Sequence, residues 1–250
     1  MHTFRTRFSG DIIAEFLPPR RPSSRAIILC DGMPSVPSQH RLMEFFSKRG
    51  YWVFHPRYRG TWESGGAFLV RDPSADILDI ARSLLEAKEI KSMWDGVVHP
   101  IHVSHVCVIG SSFGGTAALL ASRDFAVDRV IAIAPVVDWA SVDRGGEPME
   151  KMEHKLRDAF GDAYRFSHDD WMKLKAGTFF SPVSHREEMK KEKIMIIHAA
   201  DDDIVPIASV DHFAKQLQCL YIRLTVGGHL SKSIVMRWRM WWRVKKFFDG

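Results

Sequence analysis

CVIGSSFGGTAALLA, residues Cys107 to Ala121, runs from an apolar stretch into small residues through a glycine, two serines, a phenylalanine and two more glycines. Gly110-Ser111-Ser112-Phe113-Gly114 fits the pattern G-x-S-x-G, with an apolar strand before it and a helix-like segment after it. A sharp strand-to-helix turn holds its central residue in a strained backbone conformation, and the flanking glycines leave room for it. Gly114, Gly115, Ala117 and Ala118 let the following helix pack closely on a sheet. The Ser112 hydroxyl then stands at the carboxyl edge of the sheet, above a helix N-terminus that favours developing negative charge. Other glycine-loop readings fail. A phosphate-cradling loop needs a lysine that is missing here, and a dinucleotide fingerprint needs a glycine where Ser112 stands.

Outward from this junction, strands and helices alternate. Phe4–Phe8 and Ile12–Leu17, joined by Ser9-Gly10-Asp11, read as a β-hairpin. Ala26–Cys30, Tyr51–Pro56, His105–Gly110, Arg129–Val137, Ile194–Ala199 and Leu220–Val226 read as strands. Helices are predicted over Pro37–Arg49, Asp76–Lys91, Ser112–Ser122, Ile207–Leu217 and Ser231–Phe248. Short apolar strands alternating with helices imply a mostly parallel sheet covered on both faces, and such sheets bind ligands at the carboxyl ends of their strands. The polar stretch Ala140–Lys193, with helical patches such as Glu147–Phe160, interrupts the alternation and reads as a cap insertion over the site. Residues 1–250 are expected to form one domain carrying that cap.

A serine hydroxyl needs a base, and the base an orienting carboxylate; in this fold class they follow in the order serine, acid, histidine. IMIIHAADDDIVP ends a strand with Asp201, Asp202 and Asp203, and LTVGGHLS ends the last strand with Gly227-Gly228-His229. Taken singly, these are a solvated turn and a surface-loop histidine. In the right order and at strand ends, they read as the acid and base of a triad. The residue after the nucleophile, Phe113, supplies one amide of the oxyanion hole.

Hydrophobic residues at 46% and charged residues at 26% are the balance of a folded globular chain, which excludes a disordered one. Three cysteines in apolar surroundings, with no regular spacing, argue against a disulfide framework and for a reducing compartment. The N-terminal segment has charges every few residues and is not a signal peptide, and no apolar run is long enough to span a bilayer. A cytoplasmic location without membrane insertion is therefore expected. The net charge of +5 is spread along the chain, a solvated basic surface rather than a nucleic-acid site. His99, His102 and His105 are three apart, but they cross a loop-to-strand boundary where His102 and His105 point to opposite faces, so no metal is expected. No cofactor is expected either.

These residues together resemble an α/β-hydrolase, and within it the catalytic domain of the prolyl oligopeptidase and acylaminoacyl-peptidase family, over about Ile27 to Phe248. Tyr58–Gly66 (YRGTWESGG) is similar to that family's arginine-glycine loop, GSSFGG to its elbow and Pro135–Trp139 (PVVDW) to the segment entering its cap. HAADDDIVP resembles a motif whose acid lies four residues after the histidine and four before the proline, which selects Asp202. The resemblance implies a catalytic triad of Ser112, Asp202 and His229, with the amides of Met33 and Phe113 as the oxyanion hole. It also implies an α/β-hydrolase fold with a mostly parallel central sheet, an N-terminal hairpin and a helical cap. Two positions depart from the family: Asp31-Gly32 stands where His-Gly is usual, and Ala199 replaces a glycine.

The expected activity is cleavage of carboxylic esters through an acyl-enzyme, on a small-molecule ester or short acyl substrate. A compact aminoacyl- or dipeptidyl-peptidase is the alternative, and a non-catalytic binding protein on the same fold is a third reading. Esters are favoured because the peptidases hold peptides with an accessory domain, which this length leaves no room for. Trp62, Trp139, Trp171 and Val205, with Phe179 and Phe180, are expected to wall the substrate pocket. The last helix is expected to pack on the sheet through Ile234, Trp238, Trp241, Trp242 and Phe248, leaving arginines and lysines outside, in preference to a membrane-surface helix of the same pattern.

Overall fold

The structure is a computed structural model and describes residues 3–144, 148–177 and 179–250. Strands β1 (Phe4–Phe8) and β2 (Ile12–Leu17) form the hairpin, followed by β3 (Arg25–Cys30), α1 (His40–Ser47), β4 (Trp52–Pro56) and α2 (Pro73–Glu86). Next come β5 (Glu89–Lys91), β6 (Val98–Pro100), β7 (His105–Ser111), α3 (Phe113–Ala121) and β8 (Arg129–Ile133). The long connection holds α4 (Met149–Lys155) and α5 (His168–Lys175), and the chain closes with β9 (Ile194–Ala199), α6 (Ile207–Leu217), β10 (Leu220–Leu224) and α7 (Trp238–Asp249).

Eight strands make one sheet in the order β1-β2-β4-β3-β7-β8-β9-β10, parallel from β4 to β10 and antiparallel through the hairpin. The apolar strands are continuous because both faces are covered. Ala26, Ile28 and Cys30 of β3 face a core shared with α2, α3 and α6, whereas Ile27 and Leu29 face a core shared with α1 and α7. Parallel strands end on one edge, so the segments after β3, β7, β9 and β10 emerge together. That edge receives Asp31–Met33, Ser112, Asp201–Asp203 and Gly227–His229.

Several boundaries differ from those read in the sequence. Helix α1 starts at His40 rather than Pro37, after a segment without regular structure that holds Pro34 and Pro37. Helix α2 starts at Pro73, capped by Asp72, whose side chain accepts from the Ser74 amide at 2.8 Å. It ends at Glu86, and Glu89–Lys91 pairs with Val98–Pro100 in a two-stranded sheet instead of continuing the helix. Glu147, the start of one predicted helical patch, lies outside the described residues; α4 begins at Met149 and continues into a π turn over Leu156–Phe160. The final helix is broken at Arg237, which adopts an extended conformation (φ −64°, ψ 130°) between a short 3-10 turn, Lys232–Met236, and α7. Its buried face is Met240, Val244 and Phe248, and the expectation that Trp238 and Trp242 pack inward is corrected: both point to solvent. A stripe three and four residues apart cannot contain Met240 and Val244 and also Trp238 and Trp242, which stand half a turn away.

Candidate active site

Ser112 sits at φ 55°, ψ −124°, between β7 and α3. This strained conformation for a non-glycine residue costs about 1–3 kcal/mol and persists because its surroundings over-determine it. The Ser112 amide donates to Ile133 O at 2.9 Å, and its carbonyl accepts from the Gly115 amide at 2.9 Å. The glycines answer to contact. A Cβ on Gly110 would lie 1.9 Å from Gly114 O, and one on Gly114 would lie 2.4 Å from Cys30 O and 2.5 Å from Asp31 O. Backbone thus meets backbone on both sides of the turn. The Phe113 amide opens α3, where the first N–H groups of a helix have no acceptor within it. Its ring is buried against Tyr58, Phe68, Trp139 and Phe180.

The acid loop is built on hydrogen bonds to Asp202. Oδ1 accepts from the amides of Ile204 (3.0 Å) and Val205 (2.9 Å), and His229 Nδ1 lies 2.9 Å from Oδ2. His198 is fully buried at the end of β9. Its Nε2 donates to Val205 O at 2.9 Å and lies 3.3 Å from Asp202 Oδ2. Burial works against the Asp202 charge, but hydrogen bonds from His198, His229 and the Val205 amide outweigh it and hold the carboxyl well below the ordinary carboxylate range. Asp202 is therefore ionised beside the imidazole at neutral pH. Asp201 turns the other way and accepts the amides of Gly227 and Gly228, each at 2.8 Å, so it holds the histidine loop from outside. Asp203 is exposed.

Ser112 and His229 open into one cleft of about 520 Å³, together with Gly32, Met33 and Pro34 from the loop after β3. Gly32 lies directly against the elbow, where a Cβ would be 3.3 Å from Ser112 Cβ and 3.9 Å from its Oγ. The rest of the cleft mixes polar and apolar surface, with Ser35, Ser38, Gln39, Ser231 and Ser233 beside Ile204 and Leu230, and Met152 and Lys155 from α4. The long connection that carries α4 is docked on the Tyr58–Phe68 loop: Trp62 N donates to Ala163 O at 2.9 Å, Arg165 N to Gly60 O at 2.8 Å and Phe68 N to Arg165 O at 2.7 Å.

Asp31 does not place a bare charge beside Gly32 and Met33. Its carboxylate points into the protein, 2.7 Å from Lys232 Nζ and 2.7 Å from His55 Nε2, with Gln39 Nε2 at 3.1 Å. Burial alone would raise its pKa; His55 and Lys232 reverse this and hold it far below the usual range. Lys232 also donates to Cys30 O at 3.0 Å. Arg57 continues the chain of charges, 3.0 Å from His55 Nδ1 and 3.2 Å from Glu15. Behind the arginine-glycine loop, Arg59 binds Asp11 and Asp79, each at 2.9 Å, and Asp76.

The side chains expected to wall a substrate pocket lie elsewhere. Trp171 is fully buried against Phe166, and Trp139 is buried between Phe113 and Phe180. Large rings bury 150–250 Å² or so each, and here they go to the core beneath the connection rather than to the cleft. Trp62 stands behind the cleft wall, its indole N–H donating to Ser35 O at 3.2 Å. Val205 opens on a separate hollow beside Val136, Asp138 and Ser209, and its role in the site is the amide that binds Asp202. Phe180 is buried and Phe179 partly so. Lys232, His55 and Gln39 carried no motif in the sequence, and Asp201 stood there only as one of three candidate acids. Only Lys232, three residues after His229, and Asp201, next to Asp202, carried a positional signal.

No curated protein matches the sequence. Among solved structures, the chain is similar to an esterase of Pyrococcus furiosus, with a TM-score of 0.72 and 16% identity, over 99% of this chain and 90% of that one. It is similar to Est1E of Butyrivibrio proteoclasticus, solved with ferulic acid, with a TM-score of 0.68 and 16% identity, over 96% and 98% of the two chains. An acylaminoacyl peptidase of Pyrococcus horikoshii aligns with a TM-score of 0.63 and 17% identity, over 99% of this chain and 40% of the peptidase. Identities this low show a shared fold, the α/β-hydrolase fold. Residues 37–236 match the model of the prolyl oligopeptidase family. That match takes in the elbow, the acid loop and the histidine loop alike, and the chain belongs to the prolyl oligopeptidase family of serine hydrolases.

Proposed function

We propose that this enzyme hydrolyses carboxylic esters through an acyl-enzyme formed on Ser112, beneath a cap made by residues 140–193. The observation that carries the reading is the contact of Asp202 Oδ2 with His229 Nδ1 at 2.9 Å, with His229 opening on the same cleft as a serine in a strained elbow. Ser112 Oγ attacks the ester carbonyl carbon, and His229 Nε2 takes its proton while Asp202 stabilises the imidazolium through Nδ1–H. The carbonyl oxygen becomes an oxyanion and is held by the amides of Phe113, at the head of α3, and Met33, behind Gly32. Collapse breaks the bond to the alcohol, which leaves with the proton from His229. Water then attacks the acyl group with His229 again as base, releasing the acid and restoring Ser112.

Esters are favoured over amides because an alkoxide or aryloxide leaving group needs less protonation than an amine. The cleft is open, with serines such as Ser35, Ser38, Ser231 and Ser233 interleaved with apolar surface from Met33, Pro34, Met152, Ile204 and Leu230. This suits a short acyl group that combines apolar contact with hydrogen-bonding substituents. Labelling by a fluorophosphonate probe tests the nucleophile: the wild-type chain should react and Ser112→Ala should not. Equal labelling of both would remove the mechanism. Short-chain aryl esters should exceed aminoacyl arylamides in kcat/KM, and parity would make the enzyme a compact peptidase.

A further inference from the structure

Helix α7 has two faces, and the mechanism uses neither. Met240, Val244 and Phe248 bury its inner stripe. On the opposite side Trp238 and Trp242, one turn apart, are 69% and 63% exposed. Phe125 is exposed alone, and exposed Trp94 lies in the β5–β6 hairpin beside Met93, Val97 and Val98, with Arg5 over its ring. Around the two indoles are Arg237, Arg239, Arg243 and Lys246, all exposed, and none has a carboxylate partner among the described residues. Arg239 lies 5.3 Å from the Trp238 ring centre. The acid on this helix, Asp249, is already taken by Lys245 and Arg25. Solvent-facing tryptophans are costly to leave in water, and the helix supplies unpaired cations at their sides.

We propose that the outer face of α7 is a docking surface for anionic membranes. The Trp238 and Trp242 indoles enter the headgroup region, where a ring with one polar edge is best placed. Arg239, Arg243 and Lys246 reach outward on flexible stems to the lipid phosphates and carboxylates. The surface is the convex side of a helix. A single-stranded nucleic acid would instead be expected in a basic groove with aromatic platforms along it. No described helix is long and apolar enough to cross a bilayer, so the attachment is peripheral.

The test is co-sedimentation of the full chain with vesicles of phosphatidylserine and phosphatidylcholine in equal amounts, read beside tryptophan fluorescence. The chain should bind these vesicles with a blue shift and remain in solution with phosphatidylcholine alone. Trp238→Ala/Trp242→Ala should weaken binding by about tenfold or more through lost apolar burial. Arg239→Glu/Arg243→Glu/Lys246→Glu should weaken it at least as much through lost headgroup attraction, by about fivefold for each cation removed. All variants should keep the melting temperature and ester turnover in solution. The proposal fails if the chain does not bind, binds both vesicles equally, or binds undiminished without the two tryptophans. It fails equally if the tryptophans prove to drive dimerisation in sedimentation equilibrium, or if the cations bind a single-stranded oligonucleotide and no vesicle.

Discussion

The Asp201 carboxylate accepts the Gly228 amide at 2.8 Å, one residue before His229, while Asp202 next to it binds the imidazole. Adjacent aspartates therefore hold the same histidine in two ways, one through the backbone of its loop and one through its ring. Asp201 also accepts from Gly227, and these two amides hold its carboxyl below the ordinary range. Asp201→Ala should loosen the loop and lower kcat/KM by about tenfold, a misplacement effect. Asp201→Asn keeps a carbonyl acceptor and should stay near wild type. Steady-state kinetics on an aryl ester check this, and equal loss in both variants would show that charge, not acceptance, matters there.

Asp202→Asn removes the carboxylate that binds His229 Nδ1 and that, in the proposed triad, fixes its tautomer. By the triad logic kcat should fall by about three to four orders of magnitude with little change in KM. The amides of Ile204 and Val205 can still donate to the asparagine carbonyl, so the fold of the loop is expected to persist. Asp203→Asn, on an exposed residue, should leave kcat unchanged. A crippling Asp203→Asn beside a mild Asp202→Asn would reassign the acid.

The legible parts of this chain were those written in short-range patterns. The elbow could be read because Gly110 and Gly114 are each forced by backbone contacts that any side chain would violate. The strands could be read because both faces of the parallel sheet demand apolar residues. The neutralisation of Asp31 could not, because Lys232 and His55 reach it from distant segments and nothing local marks the convergence. Aromatic residues misled for a related reason. Trp139 and Trp171 look alike as core or pocket residues in sequence, and only packing separates the two. The orientation of α7 turned on the break at Arg237, an extended residue with no proline or glycine to announce it.

Gly32 offers a direct probe of the proposed oxyanion loop. A methyl group there would press on Ser112 Cβ and Ser111 O, both at 3.3 Å, and crowd the space beside Oγ. Gly32→Ala should lower kcat by about a hundredfold by displacing the Met33 amide from the oxyanion, with the fold intact. Slow labelling by the fluorophosphonate probe should accompany it, since that reagent builds the same charge. Unchanged turnover would mean that the loop after β3 does not contribute to the hole.

Acid stability follows from carboxyls held low in the fold. His55 and Arg57 beside Glu15 outweigh its desolvation and hold it at about 2 instead of 4.5, and Asp31 and Asp202 are also lowered. A carboxyl with a depressed native pKa adds stability above its unfolded value and loses it as pH falls through the native one. The melting temperature should therefore drop as pH falls from about 4.5, the unfolded range, towards 2. Asp76, raised by burial, acts in the opposite sense and offsets part of this. Glu15→Gln should flatten the acid limb while lowering the neutral melting temperature; an unchanged slope would refute the assignment.

The strongest energetic test is the pair formed by Lys232 and Asp31. Both side chains are almost wholly buried, and the contact joins the loop that carries His229 to the loop that carries Met33. Removing one partner of such a pair leaves a charge with no water to solvate it, which typically costs about 3–5 kcal/mol. Lys232→Met should therefore destabilise the protein by that order and also reduce kcat, since Cys30 O loses its donor as well. Asp31→Asn strands the buried Lys232 ammonium, which keeps only Cys30 O and the new amide oxygen as acceptors, and should cost at least as much, whereas in Lys232→Met the Asp31 carboxylate keeps His55 and Gln39. Combining the two removes the stranded charge, and the double variant should be more stable than Lys232→Met alone. Denaturant unfolding of all four chains gives the coupling energy, expected at about 1–3 kcal/mol for residues in direct contact. Additive costs would show that Lys232 does not compensate Asp31 and that the two loops are positioned independently.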